Sequence, residues 1–275
     1  MIWPKIIGPT GLGTASVPIQ LGGKSVTIPA KAKSLLAVIP HVQAPAGNTA
    51  AQPIAASLML KSNDNGGIVP WQVLLPPIGS SLLKSVAQFR GPNQVYPVNC
   101  PVIGGSTIDV YGQTLFNHTI QPWMGVTLLF ADFVPGPQYH AKIGTFQNTG
   151  TAVGEAADPN TLRITSGHLI KEVGGLVVGT TVAALTGILG WFRLASSNYG
   201  KQAQGLTQMG DMLFMADGPS GQVDTNIQEC TYLQRVGNIT PLDIPIEDPC
   251  DISIFFDLAV ALTTTGNFCT HILYT

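Results

Sequence analysis

Residues 107–131 read TIDVYGQTLFNHTIQPWMGVTLLFA and residues 251–274 read DISIFFDLAVALTTTGNFCTHILY. Each stretch holds two runs in which apolar residues fall on every second position. In the first these are Ile108 and Val110, then Val126, Leu128 and Phe130; in the second, Ile252, Ile254 and Phe256, then Cys269, His271 and Leu273. A period of two sends alternate side chains to opposite faces of a strand, so both stretches are predicted to be pairs of half-buried β-strands. Ile108 precedes Ile252 by 144 residues and Thr127 precedes Thr270 by 143. The same pattern is therefore written twice at one spacing.

The correspondence extends towards the N-terminus. Pro101 meets Pro245 at an offset of 144, Gly91 meets Gly237 at 146, Asn63 meets Asn198 at 135 and Ile28 meets Ile164 at 136. Six landmarks keep one order with a single length change between Asn198 and Gly237, which predicts duplication of a β-domain of about 135 residues. The domain plan is an N-terminal arm over 1–13, a first jelly roll over 14–135 and a second over 136–275. Pro135-Gly136-Pro137 breaks any strand at the junction.

Further alternating runs support this plan. Val17, Ile19 and Leu21 share a face, as do Trp71, Val73 and Leu75, and Leu162 with Ile164. Two helical signatures fall at equivalent places. Ser80 can cap a segment with Leu83, Val86 and Phe89 at helical spacing, ended by Gly91; Thr225 and Gln228 form a capping-box pattern before Cys230, Leu233 and Val236, ended by Gly237. Three strands are predicted after each: 94–102, 107–115 and 124–131, then 239–246, 251–260 and 268–274. The expected fold is all-β, two tandem jelly-roll β-sandwiches or barrels, each with a short helix before its last three strands. Gly and Pro make up about 19% of the chain, as suits short strands joined by turns.

Charge is the unusual quantity. Only 10% of residues are Asp, Glu, Lys or Arg, with 13 basic and 15 acidic residues and no basic run, against about a quarter in typical domains. Sequence-specific nucleic-acid binding is excluded, since it needs clustered Lys and Arg. A surface so poor in charge has little electrostatic protection against association, which points to contacts with neighbouring chains. Residues 173–192 carry no charge and just reach bilayer-spanning length. Five glycines within them, at 174, 175, 179, 187 and 190, and the β-branched Thr180-Thr181-Val182 favour buried strands instead.

At this point the chain resembles a family. Two fused jelly rolls, each with a short helix before its last three strands, are similar to the double jelly-roll major capsid proteins of tailless icosahedral DNA viruses. The resemblance covers residues 14–275 and rests on segment order, without a diagnostic motif. It implies a structural coat protein of the virion that self-assembles as homotrimeric, pseudo-hexagonal capsomers into an icosahedral shell. It also implies neighbouring capsomers, minor capsid proteins and an internal membrane as partners, and loops at 144–160 and 198–223 that decorate the surface or clasp neighbours.

Catalytic chemistry is not written in the sequence: no catalytic, cofactor-binding or metal-ligating residue is assigned, and the protein is expected not to be an enzyme and to need no cofactor. Gly22-Gly23-Lys24-Ser25 resembles the end of a phosphate-binding loop, but Pro18 stands where the motif needs Gly and a strand follows in place of a helix. His41, His118, His140, His168 and His271 are scattered without metal-ligand spacing, and Ser220 lacks the surroundings of a nucleophile elbow. Cys100, Cys230, Cys250 and Cys269 show no C-x-x-C spacing, so buried thiols are expected; Cys250 and Cys269 could pair if their strands are neighbours. The rival reading is a secreted tandem β-sandwich carbohydrate-binding protein, in which Trp3, Trp71, Trp123 and Trp191 form a sugar-stacking platform. Asn117-His118-Thr119 and Asn238-Ile239-Thr240 match the glycosylation pattern, with no secretion signal beside them.

Overall fold

The computed structural model describes residues 1–13, 17–43, 56–62, 64, 71–74, 95–114, 121–147, 154–157, 162–164, 168–178, 190–195, 208–214, 227–230, 244–246, 249–258 and 267–275. The chain divides into two compact units, Met1–Ala141 and Lys142–Tyr274.

The first unit contains β1 (Ile2–Gly11), β2 (Ile19–Gln20), β3 (Val26–Thr27), β4 (Ser34–Gln43), β5 (Ala56–Lys61), β6 (Trp71–Leu74), β7 (Tyr96–Pro101), β8 (Thr107–Thr114) and β9 (Trp123–Ala131). One sheet has the order β1-β9-β4-β7, the other β2-β8-β5-β6, with β3 also pairing β8. β2 and β3 lie along different parts of β8 and are separated by a short 3-10 turn at Leu21–Gly23, so together they fill one position in the sheet. Eight strand positions in two antiparallel sheets, with the chain crossing between sheets at every connection but the β5–β6 hairpin and the β2–β3 turn, make a jelly roll. Alternation fills its core. Met124, Val126, Leu128 and Phe130 on β9 are fully buried and face Leu58, Leu60, Val73, Ile108 and Val110, buried on the other sheet.

The second unit contains β10 (His140–Gln147), β11 (Gly154–Ala157), β12 (Leu162–Ile164), β13 (His168–Val178), β14 (Gly190–Ala195), β15 (Gln208–Phe214), β16 (Ile227–Cys230), β17 (Ile244–Ile246), β18 (Cys250–Leu258) and β19 (Asn267–Tyr274). Its sheets run β10-β19-β13-β16, with β17 also on β13, and β11-β18-β14-β15, with β12 also on β18. This is the first unit's strand order repeated position for position, with β16 and β17 sharing the place of β7. Register repeats as well. Val26 pairs with Ile108, and Leu162 with Ile252; Ile39 pairs with Thr127, and Gly175 with Thr270. Each second pair is the first shifted by the offsets read from the sequence.

Several expectations are corrected. Residues 1–13 are not an arm: Ile2–Gly11 is an edge strand bonded along β9, from Ile2 opposite Ala131 to Gly11 opposite Trp123. The helix expected over 225–237 gives way to strand at Ile227–Cys230, which pairs Gly175–Val178. A free edge on β13 offers ladder bonds that outweigh a local capping preference. The rest of that helix, and all of residues 80–91, lie outside the described residues. Residues 144–160 and 198–223 are not loops throughout, since β10, β11 and β15 run through them. Val17 is exposed and precedes β2, and Leu21 is buried in the 3-10 turn, so the three-residue strand face is shorter than its pattern. The second unit begins at Lys142, after the bends at 132–139, where the sequence placed it at 136. Residues 173–178 end β13 and 190–192 begin β14; among the described residues no helix is long and apolar enough to cross a membrane.

Candidate assembly surface

The β1-β9-β4-β7 sheet has an unusual outward face. Burial of Met124, Val126, Leu128 and Phe130 leaves Trp123, Gly125, Thr127 and Leu129 pointing away from the core. Register sets Ile6 and Ile39 beside Thr127, Pro4 and Ala37 beside Leu129, and His41 beside Gly125. An antiparallel sheet covered on one side normally shows polar residues on the other. Here Ile6 is 80% exposed, Ile2 53% and Trp123 44%. The only charged residue in the four strands is Lys5, opposite Leu128 on the core side of the pleat.

Towards the Trp123 end, this face opens into a groove of about 410 Å³ between β1, β9 and β4, lined by Ile6–Pro9, His41, Val42, Trp123, Gly125 and Val126. The pairing of β1 with β9 breaks between Ile7 and Thr10, at the cis Gly8-Pro9 bond. Gly8 has φ +87°, and a Cβ there would lie 2.8 Å from the Met124 carbonyl oxygen; one on Gly125 would lie 3.1 Å from that of Ile7. Two glycines thus let the backbones pass closely enough to form the floor. Besides the indole N–H of Trp123, the lining's polar side chain is His41, whose Nε2 lies 3.3 Å from Thr127 Oγ1. Such a groove can receive an apolar side chain but lacks the paired acid, base or nucleophile needed for catalysis. Pro4, Pro9 and Lys5 blunt the free edge of β1 against an added strand, so the open face is better suited to contact than the edge.

The other residues marked by the sequence are not brought together. Trp71 is buried, its ring edge-on to Tyr96 at 6.4 Å, and its indole N–H has no hydrogen-bond partner. Trp3 is half-buried, and Trp191 sits on β14 of the second unit opposite Leu213 and Asp257. Within the first unit Trp71 is thus withdrawn into the core, and of its three tryptophans only Trp123 lines the groove. His168 packs edge-on against Tyr274 at 5.3 Å in the second unit, and no group of three or more His, Cys, Asp or Glu that could hold a metal gathers among the described residues. Burial pushes the Cys100 thiol up to about 11, so it stays protonated and unreactive at neutral pH. Cys250 and Cys269 lie on β18 and β19, which belong to different sheets and are not ladder neighbours.

At Gly22-Gly23-Lys24-Ser25 the chain makes a turn, not a helix start. The Gly22 N–H donates to Thr10 Oγ1 at 2.8 Å and Lys24 is already extended, leaving no amide cradle for phosphate. In the second unit, Lys142 Nζ donates to the Arg163 carbonyl oxygen at 2.6 Å and lies 6.0 Å from the Tyr274 ring centre, while Arg163 bridges to Asp251 at 3.0 Å. These bonds tie β10, β12 and β18 together and have the character of framework contacts. Ser220, His118, Asn117 and Asn238 lie outside the described residues.

Sequence reasoning missed the groove. Its signal was present in Ile6 and Ile7 followed by Gly8-Pro9 and in the isolated Trp123-Met124-Gly125, but those two segments meet only once β1 is recognised as a strand.

No protein-family model matches the chain, and no curated protein matches it in sequence. Among solved structures it is similar to the major capsid protein P2 of bacteriophage PM2, at 10% identity over 99% of this chain and 97% of that one, with a TM-score of 0.39. It is similar to the STIV MCP at 9% identity over 100% and 97%, TM-score 0.42. It is also similar to PNGF-II at 9% identity, covering 100% of this chain and 64% of that one, TM-score 0.47.

Proposed function

We propose that this chain is a structural coat protein of a virion, a double jelly-roll major capsid protein that works by assembly and not by catalysis. The observation that carries the reading is the repetition of one strand order, with matching register, in two units of a single chain. A duplicated sandwich that presents a nearly uncharged outward sheet face is suited to tiling. Three such chains supply six similar sandwiches, the number that fills a hexagonal footprint, so the expected capsomer is a homotrimer within an icosahedral shell.

Low charge serves the same end. Burial of apolar surface contributes about 25 cal/mol per Å² before ordering costs, and an interface that buries few charges avoids most of their desolvation penalty. The outward face of the β1-β9-β4-β7 sheet has this character. Carbohydrate binding is the weaker reading, because Trp71 lies in the core and cannot stack on a ligand.

Sedimentation velocity over a range of protein and sulfate concentrations tests the proposal. Apolar assembly predicts particles of three chains or multiples of three that grow with sulfate. A monomer at every concentration, together with selective binding on a glycan array, would replace the coat reading with the carbohydrate one.

A further inference from the structure

The same unit that bears the groove also bears an apolar projection. Just beyond the end of β9, Phe133 and Val134 are 46% and 48% exposed, and residues 133–137 contain no charge. This turn is held from below. Ser34 Oγ donates to the Phe133 carbonyl oxygen at 2.5 Å, the Asp132 N–H donates to the Met1 carbonyl oxygen at 3.3 Å, and the Lys33 N–H donates to the Ala131 carbonyl oxygen at 2.7 Å. Pro135 and Pro137 restrict the backbone that follows. The projection is thus set before any partner arrives, which lowers the ordering cost of docking.

Projection and groove stand at opposite ends of β9. Gly125 lines the groove and Ala131 ends the strand, a separation of about 20 Å along a fully paired strand. The turn cannot fold back into its own groove. A second copy can supply it. Charge permits the match, since residues 133–137 and the groove lining carry no charged side chain, and the nearest charges, the Asp132 carboxylate and the Met1 ammonium, already pair with each other at the base of the turn. A groove of about 410 Å³ has room for an aromatic and a β-branched side chain.

Resting on the coat reading, we infer that Phe133 and Val134 of one copy insert into the Ile6–Trp123 groove of the next, a heterologous contact between two different patches of the same chain. Such contacts close into rings or extend as lattices and do not stop at a two-fold dimer. Area sets their strength. Half-exposed side chains of these sizes bury on the order of 400 Å² in total across both partners, well under the roughly 1,200 Å² of a stable pair. Single contacts therefore dissociate when dilute, and persistence comes from ring closure.

Cysteine cross-linking of the full chain tests the contact. Phe133→Cys and Ile6→Cys alter exposed side chains, so each variant is expected to fold as the parent does, checked by circular dichroism and melting temperature. Under mild oxidation the mixed variants should give a disulfide-linked pair at least tenfold above either variant alone and above the parent. A double variant Phe133→Cys/Ile6→Cys should give ladders of linked chains. Self-linking of Phe133→Cys alone, or no gain on mixing, overturns the inference. If trimers form in sedimentation yet mixing gives no linked pair, this contact is wrong and the coat reading stands; if the linked pair forms but three-chain particles never do, the contact is right and the coat reading fails.

Discussion

Replacing Phe130 by Ala should unfold one unit before the other. Phe130 is fully buried on β9, at the centre of its sheet, paired with Trp3 on one side and Leu35 on the other. Truncating a buried Phe to Ala costs about 3–5 kcal/mol, the sum of lost transfer energy and the cavity left behind. That is a large share of the 5–15 kcal/mol that stabilises a typical domain. For a unit of this size, each kcal/mol moves the melting temperature by about 3 °C, so the first unit's transition should fall by about 10–15 °C. The second unit has its own core, in which Ile164, Ile170, Ile252 and Ile272 are buried. Its transition should move by no more than about a degree. Leu273, 3% exposed, occupies the position equivalent to Phe130 at the Thr127–Thr270 offset, and Leu273→Ala should lower the second transition by a comparable amount while sparing the first. Scanning calorimetry of the full chain reads both. A single shared transition, displaced equally by either substitution, would refute the reasoning that two separate cores repeat one design.

Three other outcomes follow from particular sites. Gly104→Ala should destabilise the first unit by about 2 kcal/mol or more, because its Cβ would meet the Ala30 carbonyl oxygen, a backbone atom that cannot swing aside; Gly136→Ala, with nothing within 4 Å of its Cβ, should stay within about 0.5 kcal/mol in urea titration. Cys100 should resist alkylation in the native state at pH 8 and react once urea unfolds the chain, as mass spectrometry of the Cys100 peptide can report. Its raised pKa also sets the sign of an alkaline effect: above about pH 9 the unfolded thiol ionises while the native one keeps its proton until about 11, so this group's contribution to stability falls as pH rises through that window. Ile6→Ser and Trp123→Ser should leave the melting temperature within about 2 °C, since both side chains are exposed, while lowering the three-chain fraction at fixed concentration several-fold in sedimentation.

What could be read from the sequence was whatever strand alternation encodes locally. β8, β9, β18 and β19 have strong two-residue periods because each lies inside a sheet with one face on the core, and their repetition at a steady offset gave the two-unit plan. β1 was not legible. It is an edge strand with two prolines and outward-facing Ile6, so its pattern is irregular, and its strand character comes from pairing with β9 more than a hundred residues away. The segment Ile227–Cys230 misled in the opposite sense: a capping-box pattern and helical spacing were locally sound, but the vacant edge of β13 decided its state. The groove was hidden for the same reason as β1. Its wall residues come from three strands whose adjacency is a property of the sheet, and no window of sequence contains them together.

The assembly claim is tested most directly by electron microscopy of the purified chain, imaged in sulfate at concentrations where sedimentation detects large species. Hexagonal rosettes or closed icosahedral particles, each lattice position holding three chains and six sandwich-sized lobes, are the predicted result. A field of single molecules under all conditions, with no ordered contacts between them, would contradict it.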